Sequence, residues 1–287
     1  MVTIYQILLL AVIQGACELL PVSSSAHVIL AEKLMGLDPT SPQMTFLLVM
    51  LHTGTMLAVI VFFWNSWKSN FFPSRPIGIE TAKFLAMATV GTGLVALFLK
   101  VFIEKVILRK VEHAQVELLF GNLLWISIAL AAAGLLIIWA GYKEYQDKTK
   151  GSLTLKQAGI IGIIQGFCLP FRGFSRSGAT ISTGLILGVE KKQVEDFSFA
   201  LAVILTPPVL LREMLRLLKA EHVSMHHGKD IAGLFLPGLL GMVLSFVSGL
   251  VALQWLSYWL EKGRWYWFGI YCLLASSIAF LFYTLGL

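Results

Sequence analysis

Long apolar segments alternate with short polar ones along this chain. Six of the apolar segments reach or exceed the roughly 20 residues that a helix needs to cross a bilayer. They cover residues 43–65, 80–103, 117–142, 193–215, 231–259 and 265–286. Charged residues gather between these segments, which is typical of spanning helices joined by short loops. The pattern therefore predicts an all-α integral membrane protein with six transmembrane helices.

Two further apolar segments, residues 3–36 and 154–190, are interrupted near their middles by proline, glycine, serine and other polar residues. Irregular backbone is tolerated at membrane depth only where it is buried in protein or lines a wet cavity. We therefore predict that each segment is a re-entrant pair of helices, which enters and leaves the membrane by the same face.

The two interruptions resemble each other in sequence. Residues 13–17 and 164–168 both read Ile-Gln-Gly-x-Cys, and each stretch is followed by Leu-Pro and then by serines. This indicates an internal repeat, approximately 1–142 and 154–287, within a single membrane domain. Each copy would contain three crossings, so the second copy is inverted relative to the first. The two interruptions then approach the membrane midplane from opposite faces.

The composition supports a membrane protein and excludes several other classes. Hydrophobic residues make up 57% of the chain and charged residues 13%, with a mean hydropathy of +0.80, which is unusual for a soluble domain. The three cysteines lie in apolar surroundings and imply no disulfide framework. No basic stripe with interleaved aromatics is present, so nucleic acid is not expected as a partner.

The basic residues give a prediction of orientation. Lysine and arginine are slightly more numerous on the face that carries Lys68, Arg75 and Lys191 than on the face that carries both termini. The positive-inside rule makes the former face cytoplasmic, so both termini lie outside an inner or plasma membrane. The net charge of +6 is then explained by loops that contact lipid headgroups.

The first interruption carries a candidate metal or proton site. Gln14 and Glu18 lie one helical turn apart and so share a helix face. A carboxylate at membrane depth is costly, and its usual purpose is to bind a cation, a metal ion or a proton. The alternative is a purely structural ion pair between Glu18 and Arg176.

A serine run follows the carboxylate. Pro21 ends the first helix, and Ser23, Ser24 and Ser25 supply hydroxyl and N–H groups at the start of the next one. A helix N-terminus of this kind binds anions, phosphate above all. His27 is three residues beyond Ser24, where an imidazole could act as an acid or base. Simple N-capping is the alternative for Ser23 and Ser25.

The second interruption supplies positive charge. Arg176 is flanked by Ser175 and Ser177, while Arg172 precedes them and Thr180 follows. Arginine in a membrane needs an anionic partner, and its planar fork suits phosphate oxygens. Together the two interruptions offer hydroxyls, a carboxylate, an imidazole and guanidinium groups, which are the groups needed for metal-assisted phosphoryl transfer.

The two motifs, residues 14–27 and 173–180, resemble those of the undecaprenyl-diphosphatase family, the bacitracin-resistance phosphatases, and the resemblance covers nearly the whole chain. It implies hydrolysis of undecaprenyl diphosphate to undecaprenyl phosphate and inorganic phosphate. That reaction recycles the carrier lipid for peptidoglycan and cell-wall synthesis and gives bacitracin resistance. The resemblance also implies a divalent cation, Mg²⁺ or Ca²⁺, and a site open to the outside of a bacterial inner membrane.

The resemblance also implies roles for individual residues. Glu18 matches the essential acidic residue, Ser24 the nucleophile or phosphate ligand, His27 the acid/base partner and Arg176 the clamp on the diphosphate. Ser175, Ser177 and Thr180 would support that clamp with hydrogen bonds. Two positions depart from the family pattern: Gln14 stands where many members carry glutamate, and Arg172 stands where the family carries proline.

Several alternatives stay open at this point. Inverted repeats with broken helices are also the usual architecture of secondary transporters, so a carrier that flips polyprenyl phosphate is the second hypothesis. A phosphatidic-acid-type phosphatase fits less well, because its motifs would occur in reversed order and Ser182 stands where a histidine is needed. His52 lies in mid-span, where it either lines the cavity or forms a core hydrogen bond. A homodimer is also open.

Overall fold

The computed structural model describes residues 2–107, 109, 119, 121–146, 151–224, 231–260 and 265–286. Within these ranges the chain forms ten α-helices and no named strand. Gly151 and Val189 make an isolated bridge between two loops. The fold class predicted from hydropathy, an all-α membrane protein, is thus confirmed.

Two short helix pairs and six long helices make up the fold. The first pair is α1 (Ile4–Glu18) and α2 (Ser24–Leu34), and the second is α6 (Leu155–Cys168) and α7 (Arg176–Ile186). The long helices are α3 (Pro42–Phe71), α4 (Arg75–Phe102), α5 (Leu123–Gln146), α8 (Lys191–Ser224), α9 (Ile231–Leu260) and α10 (Tyr266–Thr284). All six long helices are long and apolar enough to span a bilayer, as predicted.

Some helices begin or end at other residues than predicted, because capping residues and helix breakers set these ends. Helix α3 begins at Pro42 because Ser41 caps it, accepting a hydrogen bond from the Met44 N–H at 3.3 Å. It continues to Phe71, beyond the predicted end at residue 65, since no helix breaker occurs before Pro73. Residues 117, 118 and 120 of the predicted third span lie outside the described part of the chain, and α5 starts at Leu123.

Equivalent positions in the two interrupted segments make equivalent contacts. Helices α1 and α6 begin with the same capping box, Thr3 with Gln6 and Thr154 with Gln157. Helix α1 packs on α9 and α6 packs on α4. Across these interfaces Ser248 donates to the Ala11 carbonyl at 2.8 Å and Thr92 to the Gly162 carbonyl at 2.9 Å. The acceptor residues Ala11 and Gly162 are as far apart in the sequence as Thr3 and Thr154, the first residues of the two capping boxes.

Glycine makes these close approaches of helices possible. A Cβ at Gly15 would lie 2.8 Å from the Gly249 backbone nitrogen, and one at Gly162 would lie 2.2 Å from the Ala88 carbonyl oxygen. Neither distance is compatible with a side chain. Both short pairs are therefore held against a spanning helix of the other half of the chain.

The two short pairs enter the molecule from opposite faces. Near the end of α2, Lys33 and Asp38 share a surface depression with Asn122 and Tyr283. We call the side of the molecule that carries this depression the first face. Near the end of α7, the Ile186 carbonyl accepts a hydrogen bond from Lys143 at 2.7 Å. We call the side of the molecule that carries this contact the second face. Consequently the N-termini of α2 and α7 both lie inside the molecule, where the polar residues of the two interruptions meet.

Candidate active site

A cavity of about 220 Å³ lies between the two interruptions, α3 and α8. Its polar lining comes from both interruptions and from the two long helices. The polar side chains that line it are Glu18, Ser23, Ser24, Ser25, His52, Arg172, Ser175, Arg176, Ser177, Thr206, Arg212 and Glu213. The buried end contains Glu18 and Ser24, whereas Arg212 is exposed at the other end. The cavity therefore opens toward the first face, along α8.

Glu18 is the centre of the polar contacts. Its side chain is 7% exposed. Its Oε1 accepts a hydrogen bond from the Arg176 guanidinium at 2.9 Å. Its Oε2 accepts from the Ser24 hydroxyl at 2.5 Å and from the Gln14 amide at 2.7 Å, and lies 3.3 Å from His52 Nε2. One buried carboxylate thus joins both interruptions to α3.

Arg176 is held on two sides. Besides the ion pair with Glu18, its second terminal nitrogen donates to the Ser198 carbonyl of α8 at 3.3 Å. Ser198 also shares a 2.6 Å hydrogen bond with Thr180, whose hydroxyl donates to the Arg176 carbonyl at 2.8 Å. Because these partners fix the guanidinium, it is oriented toward the cavity before any ligand arrives.

Two helix N-termini point into the site. At the start of α2, Ser23 adopts a left-handed backbone with φ 64° and its side chain does not cap the helix. At the start of α7, Ser175 caps the helix by accepting from the Gly178 N–H at 3.2 Å. Left-handed backbone in a non-glycine residue costs about 1–3 kcal/mol and tends to occur at functional sites. N-terminal N–H groups of this kind are suited to binding an anion.

The two candidate histidines are placed differently. The Nδ1 atom of His27 is 2.8 Å from the Ser23 carbonyl, its Nε2 is 2.8 Å from the Tyr271 hydroxyl, and its ring stacks on Tyr271. His52 lines the cavity, with Nδ1 2.8 Å from the Leu48 carbonyl and Nε2 facing Glu18. The imidazole that contacts the carboxylate is therefore that of His52.

The structure brings most of the predicted site residues to the cavity wall. Those that line the cavity are Glu18, Ser23, Ser24, Ser25, Arg172, Ser175, Arg176 and Ser177. Gln14 and Thr180 are fully buried behind the wall and contact it through Glu18 and Arg176. His27 lies beside the cavity, against α10. The roles predicted for these residues stay predictions.

The donors present fit a divalent cation that a ligand would complete. Glu18 supplies carboxylate oxygens, and Oε1 of Gln14 is buried and finds no hydrogen-bond partner among the residues that the structure describes. The described residues hold no group of three His, Cys, Asp or Glu side chains arranged for a metal ion. Mg²⁺ is commonly bound through one or two carboxylates together with substrate phosphates. Glu18 therefore suits a cation that arrives with a phosphate ligand, and Gln14 would join it through Oε1 only after its amide, which now turns Nε2 toward Glu18, rotates.

Some contributors to the site were not identified from the sequence. Arg212 and Glu213 line the outer part of the cavity, Ser198 supports Arg176, and Tyr271 holds His27. Arg212 and Glu213 were detectable in principle, because they are charges that directly follow the apolar stretch 197–211 of α8 and its Pro-Pro pair. Ser198 and Tyr271 carried no comparable signal, since their function depends on contacts with distant segments.

Comparisons with known proteins agree with the motifs. The family model described as bacitracin resistance protein BacA matches residues 7–278. A protein of Acinetobacter baylyi named undecaprenyl-diphosphatase 2 is 55% identical, over 95% of each chain. Proteins named undecaprenyl-diphosphatase from Gluconacetobacter diazotrophicus and Parabacteroides distasonis are 32% and 31% identical, with at least 96% of each chain covered.

Proposed function

Since the chain belongs to the bacitracin resistance protein BacA family of undecaprenyl-diphosphatases, we propose that it is a membrane phosphatase that hydrolyses undecaprenyl diphosphate to undecaprenyl phosphate and inorganic phosphate. One observation supports this most directly. The Glu18 carboxylate joins a serine hydroxyl to an arginine in a buried cavity. A nucleophile, a base and an anion clamp are thereby within reach of one phosphate group.

The terminal phosphate binds at the inner end of the cavity. Arg176 offers its planar fork to the phosphate oxygens, and the N-terminal N–H groups of α2 and α7 point at the same place. Such fixed donors stabilise the charge that spreads over the equatorial oxygens in the transition state. Ser23, Ser25, Ser175 and Ser177 shape this end of the cavity.

Ser24 is the nucleophile in this proposal, and Glu18 is its base. The Ser24 oxygen attacks the terminal phosphorus while Oε2 of Glu18, which accepts the Ser24 hydrogen bond, takes up the hydroxyl proton. The bond from that phosphorus to the bridging oxygen breaks. Undecaprenyl phosphate leaves with the electron pair and takes the proton from Glu18.

Water completes the cycle. A water molecule attacks the phosphoserine, Glu18 accepts a proton from it, and the bond between phosphorus and the Ser24 oxygen breaks. The proton then passes to the Ser24 oxygen, and inorganic phosphate leaves. His52 donates its Nδ1–H to the Leu48 carbonyl, which leaves Nε2 facing Oε2 of Glu18 as an acceptor for the proton that Glu18 takes up during the reaction.

A divalent cation, Mg²⁺ or Ca²⁺, belongs to this proposal. Glu18 would hold it together with phosphate oxygens, and Gln14 would add Oε1 after a rotation of its amide. When bound, it would neutralise charge on the diphosphate. The fit is supported by the buried Oε1 of Gln14, which has no partner within the described part of the chain.

The prenyl chain and the orientation complete the proposal. Val49, Met56, Leu205 and Val209 give the cavity an apolar wall between α3 and α8, which suits the first carbons of a prenyl chain.

The cavity opens toward the first face, which also carries both termini. The slight excess of lysine and arginine on the opposite face supports this as the outer face, from which the site would be accessible outside the bacterial inner membrane.

Phosphate release in detergent tests the activity and separates it from transport. Purified protein with undecaprenyl diphosphate and Mg²⁺ or Ca²⁺ should release inorganic phosphate, and Glu18→Gln should not. Arg75→Gln, an exposed change on the second face, serves as the matched control. If the wild type releases no phosphate while proteoliposomes show lipid phosphate crossing the membrane, the molecule is a transporter and the phosphatase proposal fails.

A further inference from the structure

One side of α8 lines the cavity from its buried end to its opening. The residues that line the cavity recur every three or four positions, which places them on the same side of the helix. They are Ala202, Leu205, Thr206, Val209, Arg212 and Glu213. The inner end of this row lies near Ser198, whose carbonyl accepts a hydrogen bond from Arg176 at 3.3 Å. A ligand that enters from the first face therefore passes along α8 before it reaches Arg176.

Charged side chains mark the outer end of the row. Arg212 is exposed and Glu213 is 5% exposed, and both line the cavity. Arg216, one turn further on, donates to Oε2 of Glu213 at 3.4 Å. Leu211 and Leu215 are exposed on the outer surface of the same turns, where they contact lipid. The charged groups thus lie in the mouth of the cavity, where the apolar part of α8 ends.

The ion pair between Glu213 and Arg216 makes the mouth suitable for an anion. An uncompensated carboxylate on the wall would repel a phosphate group, and Arg216 compensates it. The three side chains together carry one positive charge, and Arg212 presents it on the cavity wall. A guanidinium is well matched to phosphate oxygens. The mouth therefore attracts phosphate groups rather than cations.

The mouth is too far from the inner clamp to bind the same phosphates at the same time. Arg212 follows Ser198 by 14 residues, which is about 21 Å along a helix axis. This separation exceeds the combined length of an arginine side chain and a diphosphate group. Leu205 and Val209 line the wall between the two positions. A lipid diphosphate must therefore meet Arg212 at a different stage from the one at which Arg176 holds it.

We propose that Arg212, together with the Glu213–Arg216 pair, forms a docking site for the phosphate groups of a polyprenyl diphosphate, which binds there before its head group moves inward to Arg176. This proposal rests on the proposed phosphatase function and assigns the entry step of that reaction. Arg212 contacts the head group. Glu213 keeps the attraction weak enough for the head group to be released inward, as successive sites along a conduction path require.

Association kinetics test the docking site separately from the chemistry. The probe is a fluorescent prenyl methylenediphosphonate, which cannot be hydrolysed at its bridge, added to protein in nanodiscs of phosphatidylcholine. Charges at the rim of a binding site change the association rate constant and its salt dependence. Arg212→Gln should lower this constant about fivefold in about 20 mM salt and less than about twofold in about 500 mM salt. The dissociation rate constant should stay within about twofold of the wild-type value.

Two comparisons show whether the effect belongs to the mouth. Arg109→Gln removes the same charge from the first face outside the cavity, since α4 starts on the second face and spans the membrane. It should leave both rate constants unchanged. Arg176→Lys, at the inner clamp, should mainly raise the dissociation rate constant, because it loses the planar fork in a buried contact.

Glu213 provides a test of opposite sign. Glu213→Gln leaves the charge of Arg216 uncompensated and should raise the association rate constant about threefold in about 20 mM salt. A merely structural role for these side chains would lower binding in both Arg212→Gln and Glu213→Gln. If Glu213→Gln does not fold, Arg216→Gln carries the test. It leaves the carboxylate uncompensated and should lower the association rate constant.

Anionic phospholipids carry the same phosphate chemistry, so the experiment is repeated with phosphatidylglycerol in the nanodiscs. The proposed docking site requires the effect of Arg212→Gln in phosphatidylcholine alone. An effect seen only with phosphatidylglycerol would assign the mouth to bulk lipid and overturn the proposal. So would an unchanged association rate constant in low salt, an equal loss in Arg109→Gln, or a loss in Glu213→Gln. Absence of phosphate release by the wild type would overturn only the phosphatase function, because the probe binds without hydrolysis.

Discussion

Glu18 and Arg176, 158 positions apart in the chain, form one ion pair at 2.9 Å in the buried end of the cavity. The pair joins the first interruption to the second and fixes both the carboxylate and the anion clamp. Each charge compensates the other, so neither can be removed without leaving a buried charge unpaired.

The first prediction concerns this pair. Glu18→Gln and Arg176→Gln should each destabilise the protein by about 3–5 kcal/mol and abolish phosphate release. The double variant should be inactive but less destabilised than the sum of the single variants, because it leaves no unpaired charge. Thermal unfolding in detergent measures the stability. Additive losses would mean that the two side chains do not compensate each other.

The second prediction concerns the nucleophile. Ser24→Ala should lower kcat by at least about 10³-fold, whereas Ser23→Ala and Ser25→Ala, the neighbouring controls, should lower it far less. Wild-type enzyme quenched in acid during turnover should carry phosphate on Ser24, which mass spectrometry of the peptide detects. Substantial turnover by Ser24→Ala would show that water attacks the diphosphate directly.

The third prediction concerns His27. Its Nδ1 forms a hydrogen bond with the carbonyl of Ser23, which precedes Ser24 and has a left-handed backbone. His27→Ala should therefore lower kcat/KM about 10²-fold by moving Ser24. His27→Asn should restore much of the loss with an unchanged pH profile, since its amide can donate to the same carbonyl. Loss of one limb of the pH profile in His27→Asn would instead support the acid/base role predicted from the sequence.

The fourth prediction concerns the cation. Gln14→Glu would place a second carboxylate beside Glu18 at a fully buried position. We expect it to lower the unfolding midpoint in EDTA, because like charges repel, and to increase the stabilisation by Mg²⁺. The control is Gln165→Glu, at the equivalent position of the second interruption, where Leu169 follows instead of a carboxylate. An equal response of the two variants to Mg²⁺ would remove Gln14 from the cation site.

The fifth prediction concerns orientation. In cells, a membrane-impermeant maleimide should label Asn122→Cys, on the first face, and should label Ser74→Cys only after permeabilisation. Both positions are exposed. A version of the chain in which the three native cysteines are replaced by serine or alanine provides the background. The reverse pattern of labelling would place both termini and the cavity opening on the cytoplasmic side.

The fold could be predicted because bilayer thickness imposes a simple length rule on spanning helices. The interruptions were recognisable because proline, glycine and serine are unusual within such segments. The end of α3 at Phe71 was not predicted, since hydropathy falls before the helix ends. Its last turns carry Ser66 and Lys68 beyond the apolar stretch.

The site was predictable only in part. Glu18, Ser24 and Arg176 were expected to meet because two specific motifs carry them, and the structure places them in contact. The sequence could not show which histidine contacts the site. A spacing of three residues puts His27 near the face of Ser24, yet its ring turns to Tyr271 on α10. That contact depends on a helix 244 positions away in the chain, which no local pattern can reveal.

The anchoring of α1 on α9, through the Ser248 hydroxyl and the Ala11 carbonyl, has a consequence for biosynthesis. The first half of the chain enters the membrane before the helix that holds its re-entrant pair has been made. At about 5–20 residues per second, the 158 residues between Glu18 and Arg176 take on the order of 10–30 s to synthesise. During that interval the buried carboxylate has neither its arginine nor its final helix neighbour. The nascent first half must therefore wait in the bilayer in a hydrated or protonated form, and the second half completes the active site and the fold in the same step.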